Sequence, residues 1–168
     1  MNIKILIKNF GILEFLIILS TVYVLSMLTW TASTRSSVEA KANSTKENHT
    51  RVVNFLNNEI NKCSQKPNSK TSWGESCNTS WKSKNIVKFL INNLELNNPY
   101  EIKSSLVQSA GDPRIQAEGK AGQSTDKGII FVSSSDFLFE PGSEWVIGTC
   151  IKSPCVAAGN NDLVSIYR

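Results

Sequence analysis

One stretch governs what this chain can become. From Phe10 to Trp30 the sequence reads FGILEFLIILSTVYVLSMLTW, twenty-one residues carrying a single charge, Glu14. As an α-helix rising about 1.5 Å per residue it is roughly 30 Å long, the thickness of a bilayer's hydrocarbon core. It is long enough to cross a membrane. Lys4 and Lys8 precede it without any acid, so the positive-inside bias puts residues 1–9 in the cytoplasm and everything after Trp30 outside. Tyr23 falls within the span, and Trp30 at its outer end suits the water interface. A secretory signal cut near Thr31 to Ser33 is the competing reading, but its apolar run exceeds the usual roughly 7–15 residues.

The rest of the chain is polar, rich in Asn, Ser, Thr and Lys. With 168 residues the chain fits one domain, and 18 Lys and Arg against 14 Asp and Glu leave a formal charge of only +4. Forty per cent of residues are hydrophobic, but many of them sit in the apolar run, so the polar part buries its core sparingly. Four cysteines, Cys63, Cys77, Cys150 and Cys155, lie in that polar part. An even number there is disulfide arithmetic for an oxidising compartment. Three pairings exist. The local one, Cys63 with Cys77 and Cys150 with Cys155, is preferred, and closing the longer loop contributes about 3 kcal/mol. Metal binding is the rival, but only His49 adds a nitrogen ligand and neither pair has zinc-knuckle spacing. No C-x-x-C motif is present. No metal and no cofactor are expected.

Glu14 is the most informative residue of the apolar run. An acid within a membrane helix costs on the order of 1–3 kcal/mol, depending on depth, and usually marks a function or a partner. Near the boundary it could simply snorkel or stay protonated. The sharper reading needs a cation inside the membrane. Cleavage between Asn9 and Phe10 would create one, the amino group of Phe10, on the same chain or a neighbour, and Glu14 would become the fifth mature residue.

Lys4, Lys8, Phe10, Glu14 and the run through Trp30 resemble the type IV pilins and the pseudopilins of type II secretion. The resemblance implies a short basic leader, cleavage before an often methylated Phe, and an acid at the fifth mature position. Two departures stand out. Asn9 occupies the place where the processing peptidase favours Gly. If Gly11 served instead, the mature chain would begin at Ile12 with Glu14 third. Thr31 stands where many pilins carry a helix-loosening Pro.

Beyond Trp30, Val38, Ala42, Val52, Leu56 and Ile60 recur at helical spacing, with a weaker middle around Thr45 and His49. This predicts an amphipathic helix to about Lys62. Neither Pro nor Gly interrupts residues 12–66, so the helix continues the membrane span as one rod of roughly 50 residues and about 75–80 Å. Its upper half needs a domain to pack on, and its lower half needs lipid or sister helices. Pro67, Asn68, Ser69 and Gly74 then mark a surface loop between Cys63 and Cys77. A second helix is expected in SWKSKNIVKFLINNLEL, with Ile86, Val87, Phe89, Leu90 and Leu94 on one face. Ser80 or Ser83 would cap it, and it would stop at Asn97-Asn98-Pro99. From about residue 113, RIQAEG, GIIFVSSS, DFLFEP, SEWVIGTCIK and DLVSIYR read as short strands of an antiparallel sheet, one face against the long helix. The fold class is α+β, with a helical stalk and a globular head.

Asn98-Pro99-Tyr100, the segment Cys150 to Cys155, Gly159-Asn160-Asn161 and the helix ending Asn54 to Cys63 extend the resemblance to the heads of small pilin-like proteins of Gram-negative bacteria. It implies a leader over 1–9, a filament-core helix over 10–30, a stalk over 31–63 and a head over 64–168. The function so implied is a structural subunit, a minor or atypical pilin, resident in the inner membrane before assembly and in a cell-surface or periplasmic filament afterwards. Membrane lipid, sister pilins, a prepilin peptidase and the inner-membrane assembly machinery would be its partners. A pseudopilin, a single-pass anchored periplasmic binding or adhesion module, and a secreted ligand-binding domain are the alternatives.

Other features carry less. His49 has no catalytic partner in the sequence and is expected on a solvated face. No nucleophile elbow, phosphate loop or H-E-x-x-H occurs, so catalysis is not expected. Asn43, Asn48 and Asn78 head glycosylation-type triplets that such an Asn- and Ser-rich chain produces by chance. Trp73 and Trp81, flanking Cys77 among lysines, form a weak candidate patch for DNA backbone.

Overall fold

The structure, a computed structural model, describes residues 11–100, 106–108, 127–133 and 138–168. The leader with Asn9 and Phe10, and the strand expected over 114–119, lie outside the described residues. Those described form an α+β fold with one long apolar helix. Helix α1 runs Ile12–Gln65, 54 residues without a break, as the absence of Pro and Gly allows. Then come β1 (Trp81–Lys82), α2 (Ser83–Asn93), β2 (Val107–Gln108), β3 (Ile130–Ser133), β4 (Leu138–Phe139), β5 (Glu144–Cys150) and β6 (Asn161–Tyr167). The chain divides into two compact units, Met1–Glu39 and Ala40–Arg168.

In the first unit, thirteen large apolar side chains between Ile12 and Trp30 are exposed. The helix is apolar on every side here, so no single face can be hidden by bending the chain back. Its hydroxyls are satisfied internally: Ser20 donates to the Ile17 carbonyl at 2.8 Å, Thr21 to Ile18 at 2.9 Å and Ser26 to Tyr23 at 2.7 Å. Such back-bonding leaves no polar side chain of this group seeking water. Val38, expected on the packing face, is exposed.

In the second unit, α1 buries Ala42, Thr45, His49, Val52, Leu56, Ile60 and Cys63, a stripe at steps of three and four residues. This stripe lies on a four-stranded sheet of order β2-β3-β5-β6. Register places Val132, Ile147 and Val164 side by side, and Trp145 beside Ile166. These residues meet Val52, Leu56 and Ile60, together with Ile86 and Leu90 of α2, in one core. Strand β5 is buried from Trp145 through Cys150 without alternation, as befits a central strand covered on both faces.

The sheet is mixed where an antiparallel one was expected, because β2 pairs parallel to β3. Residues 109–129 separate the two strands, long enough for the crossover that parallel neighbours need. Helix α2 is also shorter than expected. Trp81 and Lys82 are taken into β1, which pairs with β4, so the helix starts at Ser83 with Lys82, not Ser80, at its N-cap and without a capping bond from the Lys82 side chain. It ends at Asn93, not at Asn97. Glu95 adopts a left-handed φ of 45°, and Leu94 and Leu96 turn in to pack half-buried on the core.

Two clamps close the unit. Arg168 stacks its guanidinium 3.7 Å from the centre of the Trp81 ring and donates to the carbonyls of Phe139, at 2.6 Å, and Cys77. Burial lowers its pKa to about 10, against the pull of Glu75, so it stays charged at neutral pH. Asn98 is the second clamp. Its Nδ2 donates to the Lys127 carbonyl at 3.1 Å, and its Oδ1 accepts from Tyr100 N–H at 2.9 Å. Tyr100 in turn donates its hydroxyl to the Ile151 carbonyl, and burial raises its pKa. Gly128, at φ 78°, sits so close that a Cβ there would overlap Asn98 Oδ1.

The Gly128→Ala variant is therefore expected to lose about 2–4 kcal/mol, from left-handed strain plus the displaced Asn98 bonds. Urea unfolding of the full chain in micelles, followed by tryptophan fluorescence, measures this. An unchanged midpoint would remove the clamp from the account.

Candidate functional site

Three places assemble chemistry-bearing side chains. The first is the start of α1. Gly11 N–H donates to Glu14 Oε2 at 2.9 Å, so Glu14 reaches back from the third helical position to an otherwise unpaired amide, the acid half of a capping box. Glu14 is exposed, as are Gly11 and Ile12. The carboxylate thus has a partner within its own chain, and no cation is among its described contacts.

The second place lies in the second half of α1. His49, expected on a solvated face, is instead buried at 1 % exposure. Its Nδ1 is 3.1 Å from Asp162 Oδ2, and its Nε2 is 3.2 Å from the Ile147 carbonyl oxygen. Both partners belong to the sheet, so the imidazole pins helix to strand at the point where the apolar stripe weakens. Thr45, one turn earlier, donates to the Lys41 carbonyl at 3.0 Å, and Asn48 donates to the Asn97 carbonyl at 3.1 Å. Buried polar groups with partners are tolerated where unpartnered ones are not. Asn48 is buried as well, whereas Asn43 and Asn78 are exposed.

The third place is built by the loop after α1. Cys63 is bonded to Cys77, and Cys150 to Cys155. Inside the first bridge, Gly74 N–H donates to the Thr71 carbonyl at 2.9 Å, closing a turn in which Gly74 takes a φ of 91°. Glu59, buried on α1, accepts from Ser72 N–H at 2.8 Å and Ser72 Oγ at 2.6 Å, with Lys62 Nζ 3.4 Å away. Glu75 accepts from Trp73 Nε1 at 2.9 Å, Lys82 N–H at 3.1 Å and Asn85 Nδ2 at 2.6 Å. Two carboxylates therefore hold the turn from either side, in charge-assisted bonds.

The tethered turn and α2 enclose an open groove of about 580 Å³. Trp73, half-buried, forms its aromatic wall and stands perpendicular to Trp81 with ring centroids 5.0 Å apart. Asn85, Lys88, Phe89 and Asn92 form the facing wall, at the spacing that puts them on one side of a helix. Ser83, Ile86 and Leu90 point the other way, into the core. Of the two tryptophans expected in one patch, only Trp73 reaches the groove. Trp81 is fully buried, held between Arg168 and Phe139.

Among the described residues, no three His, Cys, Asp or Glu side chains come together as a metal site. Sequence reasoning passed over Glu59 and Glu75. Glu59 had a signal, since it falls on the buried stripe between Leu56 and Cys63. Glu75 had none, because its partners are distributed over a turn, a strand and a helix. Comparison of the chain with protein-family models, curated proteins and solved structures finds no match.

His49→Ala removes a buried ring and strands a carbonyl and a carboxylate, so a loss of about 2–4 kcal/mol is expected. The urea midpoint of the full chain reports it. A change below about 0.5 kcal/mol would mean that the helix-to-sheet pin carries no stability.

Proposed function

We propose that the chain is a membrane-anchored structural subunit, a minor or atypical pilin, of a type IV pilus-like filament, built to assemble through its apolar helix. The carrying observation is the helix surface from Ile12 to Trp30, whose thirteen large apolar side chains are exposed. Among the described residues, α1 is the one helix long and apolar enough to cross a membrane. On this reading residues 1–9 face the cytoplasm, the helix rests in the inner membrane, and the disulfide-bonded unit lies outside. Cleavage before Phe10 by a prepilin peptidase supplies an ammonium group, and Glu14 pairs with that of a neighbouring subunit as the inner-membrane machinery extracts the chain. A pseudopilin of type II secretion would use the same helix in the same way. A single-pass anchored binding module is the second reading, and the groove at Trp73 favours it.

Mass spectrometry of the amino terminus of protein purified from its own cells separates these. A mature chain beginning at Phe10, methylated or not, is the expected result. A chain beginning at Met1 leaves the anchored module, and one beginning after residue 30 leaves a secreted domain. Glu14→Ala is further expected to insert into the membrane normally yet drop out of sheared filaments at least about tenfold, the loss of one buried charge pair. Wild-type incorporation of that variant would end the register role given to Glu14.

A further inference from the structure

We infer that the groove between the Thr71–Gly74 turn and α2 is a binding site for a short neutral oligosaccharide. The inference stands apart from the filament proposal and would hold equally for an anchored module.

A pyranose ring offers two surfaces at once, a flat face of C–H groups and an equatorial fringe of hydroxyls that each donate and accept. A site for it needs an aromatic plane beside side chains that also do both. Trp73 supplies a large, half-buried ring, held against Phe55, Trp81 and Phe89 with its remaining surface on the groove. Asn92 supplies an amide with both donors and acceptor, and makes no hydrogen bond to a described residue. Asn85 spends one amide hydrogen on Glu75, and Asn93 spends one on the Phe89 carbonyl at 2.8 Å. Each therefore keeps its oxygen for a ligand hydroxyl. A groove of about 580 Å³ lies in the range that holds small ligands.

Charge narrows the ligand class. Glu75, beside the groove, already accepts three hydrogen bonds, and Glu59 is buried and engaged behind Ser72. Lys88 is the sole ionisable side chain in the lining. A polyanion is held by a row of cations along its backbone, and one lysine is not a row. A neutral sugar needs no countercharge, and Lys88 serves it as a hydroxyl donor. Rigidity points the same way, because weak hydrogen bonds to a sugar repay binding only when the site is ordered beforehand. The turn that presents Trp73 is fixed by the Cys63–Cys77 bridge and by both carboxylates.

The test uses the full chain in lauryldimethylamine oxide micelles, a detergent without a sugar headgroup. Ligand-observed NMR titration is run with maltotetraose, cellotetraose and chitotetraose, and with an oligothymidylate of about ten nucleotides. Saturable binding of at least one sugar below about 10 mM is expected. Trp73→Ala should weaken it at least about tenfold, the scale of one lost stacking contact. Asn92→Ala, at an exposed position that leaves folding intact, should weaken it about two- to tenfold, the scale of one or two hydrogen bonds. Should Trp73→Ala fail to fold, Asn92→Ala decides the matter. No saturable sugar binding overturns the inference, as does sugar binding that Asn92→Ala leaves unchanged. So does salt-sensitive oligothymidylate binding that displaces the sugar, which would assign the groove to single-stranded nucleic acid.

Discussion

The exposed apolar surface of α1 sets the terms for the molecule. Thirteen large side chains from Ile12 to Trp30 face outward. At about 1.5 kcal/mol for each, the gain from removing them from water is on the order of 20 kcal/mol. That exceeds the whole folding stability of a typical domain, about 5–15 kcal/mol. Among the described residues the second unit has a core of its own around Trp81, Trp145 and Phe139. On the proposed reading, lipid or other apolar helices are the medium of this stretch. The backbone suits either, since each interior N–H is spent within the helix and the hydroxyls of Ser20, Thr21 and Ser26 are folded back onto it.

The second stretch of α1 solves a different problem with the same geometry. A polar chain cannot line a long helix face with leucine, and here the gaps are filled by polar side chains whose partners come from the sheet or from the helix itself. Thr45 and His49 hold core positions in this way. Glu59 does so too, but its partner is the turn at Ser72, and Cys63 ties the same loop one turn further on. The helix is thus a frame that anchors the Thr71–Gly74 turn as well as a wall of the core. Trp73 is placed by that frame and by Glu75, so its orientation depends on α1, α2 and the disulfide together.

Much of this could be read from residues alone. The apolar run, the uninterrupted helix through Lys62, the loop around Gly74 and the strands ending at Cys150 and Tyr167 follow from periodicity and from Pro and Gly punctuation. What could not be read depended on long-range partners. His49 looked solvated because its partners, Asp162 and the Ile147 carbonyl, are contributed by strands about a hundred residues away. The start of α2 was misplaced because Trp81 and Lys82 are claimed by β4. The parallel pairing of β2 with β3 left no local mark, since a two-residue strand such as Val107–Gln108 has too few side chains to show a period. The groove was half visible. Trp73 was noticed, but its pairing with Trp81 on one surface was not to be had, as an aromatic next to a cysteine gives no sign of which way it points.

Glu14 joins the structural and the proposed functional accounts. In the chain as it stands its partner is a neutral backbone amide, Gly11 N–H. A carboxylate in a low-dielectric medium binds an ammonium group roughly twice as strongly as a neutral donor, so an available ammonium would outcompete the cap. Lys4 and Lys8 lie on the cytoplasmic side of the span in the proposed topology, outside the hydrocarbon. A free amine at Phe10 would be the one cation within reach of that depth, and it exists only once the bond from Asn9 is cut. On the proposed reading, then, the same carboxylate caps its own helix in the precursor and bridges to a neighbour in the mature form. Removal of the leader would gate assembly by changing what Glu14 has to bind, with no change of fold required.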